Sequence, residues 1–195
     1  MTALSFGKLE EAYIFVYENV KELLEESRLL YENKKYARSY ALAQFAHEEL
    51  AKLPIIYQEA SRAFFKEPHD WKDFHKRLRS HESKNKMNFI FYRYMLDIAK
   101  KEHSDFTIEK MEDTLQHINE LKNNSIYADI KNNKFTKPSL EIEKNLAGTH
   151  LELVEEMFKT FSLSNFHIKG GIKKSLDIDK AKLQKESFRK LGLIK

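Results

Sequence analysis

From Leu9 onward the apolar residues return at alternating steps of four and three: Leu9, Tyr13, Val16, Val20, Leu23 and then Leu30. Steps of this kind line one face of a 3.6-residue helix, so the spacing predicts a helix from about Lys8 to Glu32. Little in the remaining chain interrupts that habit. Five glycines and three prolines in 195 residues leave few helix breakers, and no alternating run reads as a strand. Asn33 ends the first helix. A second runs from about Lys35 to Phe65, where the ring and missing N–H of Pro54 either bend it or split it in two, and the apolar period continuing through Ile56 favours a bend. Asp70 can cap a third, Trp71 to Lys100, and a fourth starts at Thr107 and ends near Asn123 and Asn124. Residues 129–138 read as a polar loop, and Ser139 can cap a fifth helix reaching about Phe161. Gly170 and Gly171 mark a hinge before a weaker terminal helix, Asp179 to Leu191. The fold class expected is all-α, a bundle of long antiparallel helices with additional C-terminal helices.

Composition narrows the functional classes. At 42% hydrophobic and 12% aromatic residues the chain can build a core. No run approaches the ~18 apolar residues of a membrane span, and Met1 to Gly7 lacks the basic and apolar parts of a secretory signal. These point to a cytoplasmic protein away from membranes. The absence of cysteine excludes disulfides, thiolate metal sites and cysteine nucleophiles. Charge is uneven: residues 166–195 carry nine Lys or Arg against three Asp or Glu, so the +4 chain has a +6 tail and a −2 body. Three parts are expected: a bundle over 1–130, a loop and packing helix over 131–165, and a basic segment over 166–195. A basic tail suits nucleic acid or an acidic partner, or is simply a solvated helix.

Several motifs are missing. His47-Glu48-Glu49-Leu50-Ala51 lacks the second histidine of a metalloprotease helix. None of the eight histidines follows a glutamate by three residues, as di-iron bundles require. There is no phosphate-cradling glycine loop and no nucleophile-elbow serine. No metal and no cofactor is expected.

What stands out is polarity inside apolar stripes. Glu49 lies in the row of Leu42, Phe45, Leu53 and Ile56. His81 and Asn85 lie in the row of Phe74, Leu78, Phe89 and Tyr92, and Lys122 ends the row of Ile108, Met111, Leu115 and Ile118. An ionisable group on a buried face costs several kcal/mol unless paired. Three such groups in one domain are expected to meet as a buried polar network or a site.

The same helices carry a resemblance. Residues 41–53, an alanine-rich helix with Glu48-Glu49-Leu50-Ala51-Lys52, resemble the "Glu-Glu-x-x-Lys" element of the AbiV group of abortive-infection proteins. Ser80-His81-Glu82-Ser83-Lys84 resembles that group's "Ser-His-x-x-Lys" element, and Lys122 followed by Tyr127-Ala128-Asp129 its "Lys/Arg, then Tyr-x-Asp" element. Order and spacing agree over roughly residues 8–130. The resemblance implies a HEPN-like (higher eukaryote and prokaryote nucleotide-binding) helical bundle, a homodimer, and a bacterial antiphage effector that arrests growth or translation of the infected cell. It further implies RNA or translation machinery as target and a phage-encoded protein activator as partner. Many HEPN proteins are metal-independent ribonucleases with an Arg-x4–6-His motif. Here Lys122-x4-Tyr127 stands in that place, and tyrosine, with an unperturbed pKa near ~10, is a poor general base at neutral pH.

RNA cleavage without metal needs a base, an acid and a cation for the phosphorane. His81 or Glu49 can supply proton transfer, Lys122, Lys84 and Arg79 can face phosphate, and Tyr127 can donate a proton or position substrate. Glu48, Lys52, Asn85 and Asp129 form the supporting set. Plainer readings stand beside these. Glu49 can be a structural tie, and Glu48 with Lys52 a surface i,i+4 pair worth ~0.3–0.5 kcal/mol. His81 and Asn85 can be core hydrogen-bonding groups, Arg79 a solvated side chain, and Lys122 a cation at a helix C-terminus. Tyr127 and Asp129 can clasp the end of that helix, and His47 can be a packing residue beside Tyr36 and Tyr40. The rival function is a non-enzymatic helical module that recognises a phage or host protein.

Overall fold

The computed structural model describes residues 3–80, 83, 84, 87, 88, 108–131, 133–177, 186 and 189. Helix α1 spans Phe6–Glu32, and Ser5 caps it by accepting from the Lys8 N–H. After the turn at Lys34, which has a positive φ, α2 spans Tyr36–Leu50 and α3 spans Lys52–Phe64. The bend expected at Pro54 is a one-residue break at Ala51 instead. Proline has no N–H to give the carbonyl of Leu50 and its ring crowds that turn, so the helix restarts.

The third helix is shorter than its periodicity suggests. Helix α4 spans Trp71–Arg79, and Asp70 caps it as expected. Ser80 then leaves helical geometry, and its hydroxyl accepts from the Ser83 N–H to start a new turn holding residues 83 and 84. Helix α5 spans Ile108–Ile126.

The polar stretch after α5 is not a loop. Strands β1, Asp129–Lys131, and β2, Lys134–Thr136, pair antiparallel with Ile130 opposite Phe135. Asn133, at a φ of 61°, supplies the left-handed residue of the turn. Three-residue strands are too short to show a period of two, which is why the pattern alone missed them. Helix α6, Pro138–Glu141, has proline in its first turn, and Ile142 and Glu143 separate it from α7, Lys144–Ser162. The single fifth helix is therefore two. Gly170, in the left-handed region, opens the short α8, Gly171–Ser175. The terminal helix expected over 179–191 lies outside the described residues except at 186 and 189.

Helix α2 is the centre of the bundle, packed by α1, α3, α5, α6 and α7. Its many alanines allow this, because small side chains let several helices approach one axis closely. The main core joins Leu9 and Val20 of α1, Leu50 of α2, Leu53 of α3 and Leu151 of α7. Ile172 and Leu176 also enter it, so the chain just after the glycine pair is tied to the bundle. Each such side chain contributes roughly 1.5–3 kcal/mol through burial. A smaller core of Ala37, Tyr40, Ile142 and Ala147 closes the end of the bundle near α6. Gly148 lets the Tyr31 hydroxyl lie close there, since a Cβ would fall 2.7 Å from it and the tyrosine would have to shift. No helix among the described residues is long and apolar enough to cross a membrane.

A buried charge centre on the alanine helix

Helix α2 turns two adjacent rows inward. Ala37, Ala41, Gln44 and Glu48 form one, and Tyr40, Ala43, His47 and Leu50 the other; all eight are buried. The steps of four, three and four along the first row place Glu48 on a face lined by small side chains. Leu42, Phe45 and Glu49 fall on the flank and are only half-buried.

Glu48 is the meeting point. Its Oε1 accepts from Lys122 Nζ at 2.7 Å and its Oε2 from Lys84 Nζ at 3.2 Å. Lys84 and Lys122 are themselves 7% and 13% exposed in their side chains. Burial alone would raise the Glu48 carboxyl, but Lys122 and then Lys84 outweigh it and hold the group below the usual carboxylate range. The Lys122 ammonium also lies 5.4 Å from the Phe45 ring centroid. The ion centre thus joins α2, the turn after Ser80 and the last part of α5.

A second polar layer lies on the adjacent row of α2. His47 is buried, with Asn88 Nδ2 donating to its carbonyl. His150 of α7 stacks on Tyr40 at 4.5 Å and meets the His47 ring edge-on at 6.0 Å. Burial pushes His47 down to about 4 against the pull of Glu48, and pushes His150 down to about 3 with help from His47. Gln44 Oε1, His47 Nδ1, Asn88 Oδ1 and His150 Nε2 have no hydrogen-bond partner among the described residues. A separate tie joins α3 to α4 and the loop between them. The Glu59 carboxylate, 1% exposed, accepts from Arg62 at 2.6 Å and from His69 at 3.0 Å, and Arg77 donates to Gln58 at 2.7 Å. No three His, Asp or Glu side chains among the described residues come together as metal ligands.

A buried charge network is present, centred on Glu48 in place of Glu49. Glu49 is not central: it pairs with Lys52 and accepts from Asn19 at 3.3 Å, with a fifth of its side chain exposed. The expected Glu48–Lys52 surface pair is overturned for the same reason, since Glu48 faces inward and Lys52 reaches the next carboxylate. Lys84 and Lys122 are in the centre. Arg79 is exposed at the end of α4. Tyr127 is 64% exposed and Asp129 is also at the surface, where its Oδ1 accepts from the Ile130 N–H. They do not clasp α5; Arg38 does, donating to the Ile126 carbonyl at 3.2 Å. His81 and Asn85 lie outside the described residues. The sequence reading missed the role of Glu48, and it missed His150 and Glu59 altogether. The row Ala37, Ala41, Gln44, Glu48 was the available signal, because a face of alanines marks close helix packing better than a sparse stripe of leucines.

These positions predict unequal costs for neighbouring glutamates. Glu49→Gln should lower stability by less than about 1 kcal/mol, because its i,i+3 pair with Lys52 keeps access to solvent. Urea melts read this directly, and a loss of several kcal/mol would put Glu49 back in the centre.

Comparison with known proteins finds a family match. The model of the HEPN group described as AbiV matches residues 8–159, which include Glu48, Lys84, Lys122, Tyr127 and the hairpin. No curated protein and no solved structure matches the chain.

Proposed function

The chain belongs to the HEPN-type AbiV family, and from that membership we propose that it is an abortive-infection effector of antiphage defence. It arrests growth of the infected cell by engaging RNA of the translation machinery, as a homodimer in the cytoplasm, and a phage-encoded protein switches it on. One observation carries the choice between engaging and cleaving RNA: Glu48 has one lysine ammonium on each carboxylate oxygen.

A base for the 2′-hydroxyl needs a free lone pair at the substrate, and a phosphorane needs a cation that faces it. Glu48 is enclosed and its oxygens are engaged by Lys84 and Lys122. Those cations are nearly as enclosed, so neither is presented to a phosphate. Tyr127 faces solvent. Among the described residues this favours occupation of RNA over its cleavage, with the ion centre holding α2 and α5 in the arrangement that the binding surface requires.

The test combines translation and RNA integrity. Purified protein added with phage extract to a bacterial translation reaction should stop synthesis while total RNA stays intact by end mapping. Discrete new RNA ends that vanish in Lys122→Ala, with the fold retained by circular dichroism, would replace occupation with cleavage.

A further inference from the structure

The hairpin after α5 holds out side chains that a helical bundle would ordinarily bury. Phe135 is 87% exposed and Ile130, its cross-strand partner, is 57% exposed, so both stand on one face of the β1–β2 ribbon. Tyr127, two residues before β1, is 64% exposed. A phenylalanine left in water forgoes roughly 2 kcal/mol of burial.

The ribbon is held in place rather than loose. Thr136 donates to Glu141 of α6, and Ile142 behind it is buried in the small core. Arg38, gripping the Ile126 carbonyl, fixes the chain just before Tyr127. Residues 129–137 contain three lysines and one aspartate; Lys134, Lys137 and Arg38 are all exposed.

We propose that this ribbon, with Tyr127 beside it, is a stacking platform for single-stranded RNA. Phe135 and Tyr127 supply faces for bases, and Lys134, Lys137 and Arg38 neutralise the backbone. The inference rests on the reading that the effector engages RNA, and it says where. Duplex RNA is a poorer fit, because its base faces are already stacked. A second copy of the chain is disfavoured by area. Phe135, Tyr127, Ile130 and the nearby Leu140, 66% exposed, offer on the order of 400–500 Å². That is roughly half of what each partner gives to a standard interface, and two copies would oppose their lysines. An RNA strand needs only two or three base faces and welcomes the charge.

Fluorescence anisotropy with a labelled 20-nucleotide mixed-sequence RNA tests this on the full chain. Phe135→Ala should weaken binding on the order of tenfold or more, and Phe135→Trp should restore it. Phe135→Leu, which keeps apolar bulk without a π face, should behave like Phe135→Ala. The Lys134→Gln/Lys137→Gln pair should flatten the salt dependence by roughly one to two units of slope. All three positions changed are exposed, and thermal melts check that the fold is unaltered. Binding that ignores every one of these changes overturns the platform and leaves RNA engagement standing. Failure of the wild type to bind any RNA, with phage extract present as without it, overturns both. If Phe135→Leu keeps both binding and phage protection, the face is an apolar contact and the stacking proposal is wrong.

Discussion

Glu48→Gln should lower the stability of the fold by about 3–5 kcal/mol, the usual cost of removing one partner from a buried ion pair. The substitution keeps size and shape almost unchanged, so the loss comes from two enclosed ammonium groups stripped of their counter-charge. Those groups, Lys84 and Lys122, come from separate elements, and the damage should reach α5 as well as α2. Urea melts at neutral pH give the value, and hydrogen exchange over 108–126 locates it. A companion variant separates stability from function. Glu48→Leu with Lys84→Met and Lys122→Met removes all three charges together, and such replacements are often neutral or stabilising. That triple variant should fold near wild-type stability. If it also protects cells against phage, the charges serve only to fix helix positions. If it folds and fails to protect, they are needed for the activity itself. A Glu48→Gln cost below about 1 kcal/mol would contradict the burial described for the centre.

The helical class of this chain is legible from its first thirty residues, because a four-three spacing of Leu9, Tyr13, Val16 and Val20 has few other physical solutions. The convergence of polar residues is legible too, since Lys122 in an apolar row demands a partner. Which partner it finds is a different matter. Glu48 and Glu49 are neighbours in sequence and differ by about 100° around the helix axis. The choice between them depends on which face of α2 meets α5, and α2 is covered by five other elements. Counting leucines favours the face with Leu42 and Phe45, yet close packing of several helices selects the alanine face, where less side chain has to be accommodated.

The breaks at Ala51 and Ser80 show the same limit of local reasoning. Apolar periodicity runs through both positions, and hydrogen bonding decides against it. Pro54 withholds a donor from the turn containing Leu50. The Ser80 hydroxyl competes for the Ser83 N–H and starts a new helical turn. The second break matters for the site, because it sets the turn from which Lys84 reaches Glu48. The hairpin lay beyond pattern reading for a third reason: its register is fixed by the turn at Asn133 and by anchoring of Thr136, neither of which leaves a hydrophobic period.

Acid should unfold this protein sooner than its carboxylates alone would, because His47 and His150 are kept neutral inside it. Both folded-state values are depressed, to about 4 and about 3, from an ordinary value near ~6.5 in the unfolded chain. Below ~6.5 the unfolded chain therefore binds protons that the folded chain refuses. Stability is complete above that value and falls as pH drops from it toward 3. Two such histidines give a slope of up to about 2.7 kcal/mol per pH unit between pH 6 and 4.5. The charged and titratable groups around them do not reverse the sign. Glu48 attracts a proton to His47 but is itself matched by Lys84 and Lys122, and His150 faces His47 and the Tyr40 ring. Glu48 adds to the loss only at lower pH, since its own depressed value makes its contribution fade as pH falls below ~4.5. Urea melts from pH 7.5 to 4.5 should show the steep histidine slope in the wild type. His47→Gln with His150→Gln should flatten it, whatever the stability of that variant at pH 7.5, because glutamine takes no proton. Equal slopes in the two proteins would mean that the imidazoles are charged or hydrated in the fold. The two rows of α2 would then differ from what their burial requires: one row holds an ion centre that is satisfied internally, and the other holds polar rings whose stability depends on remaining uncharged.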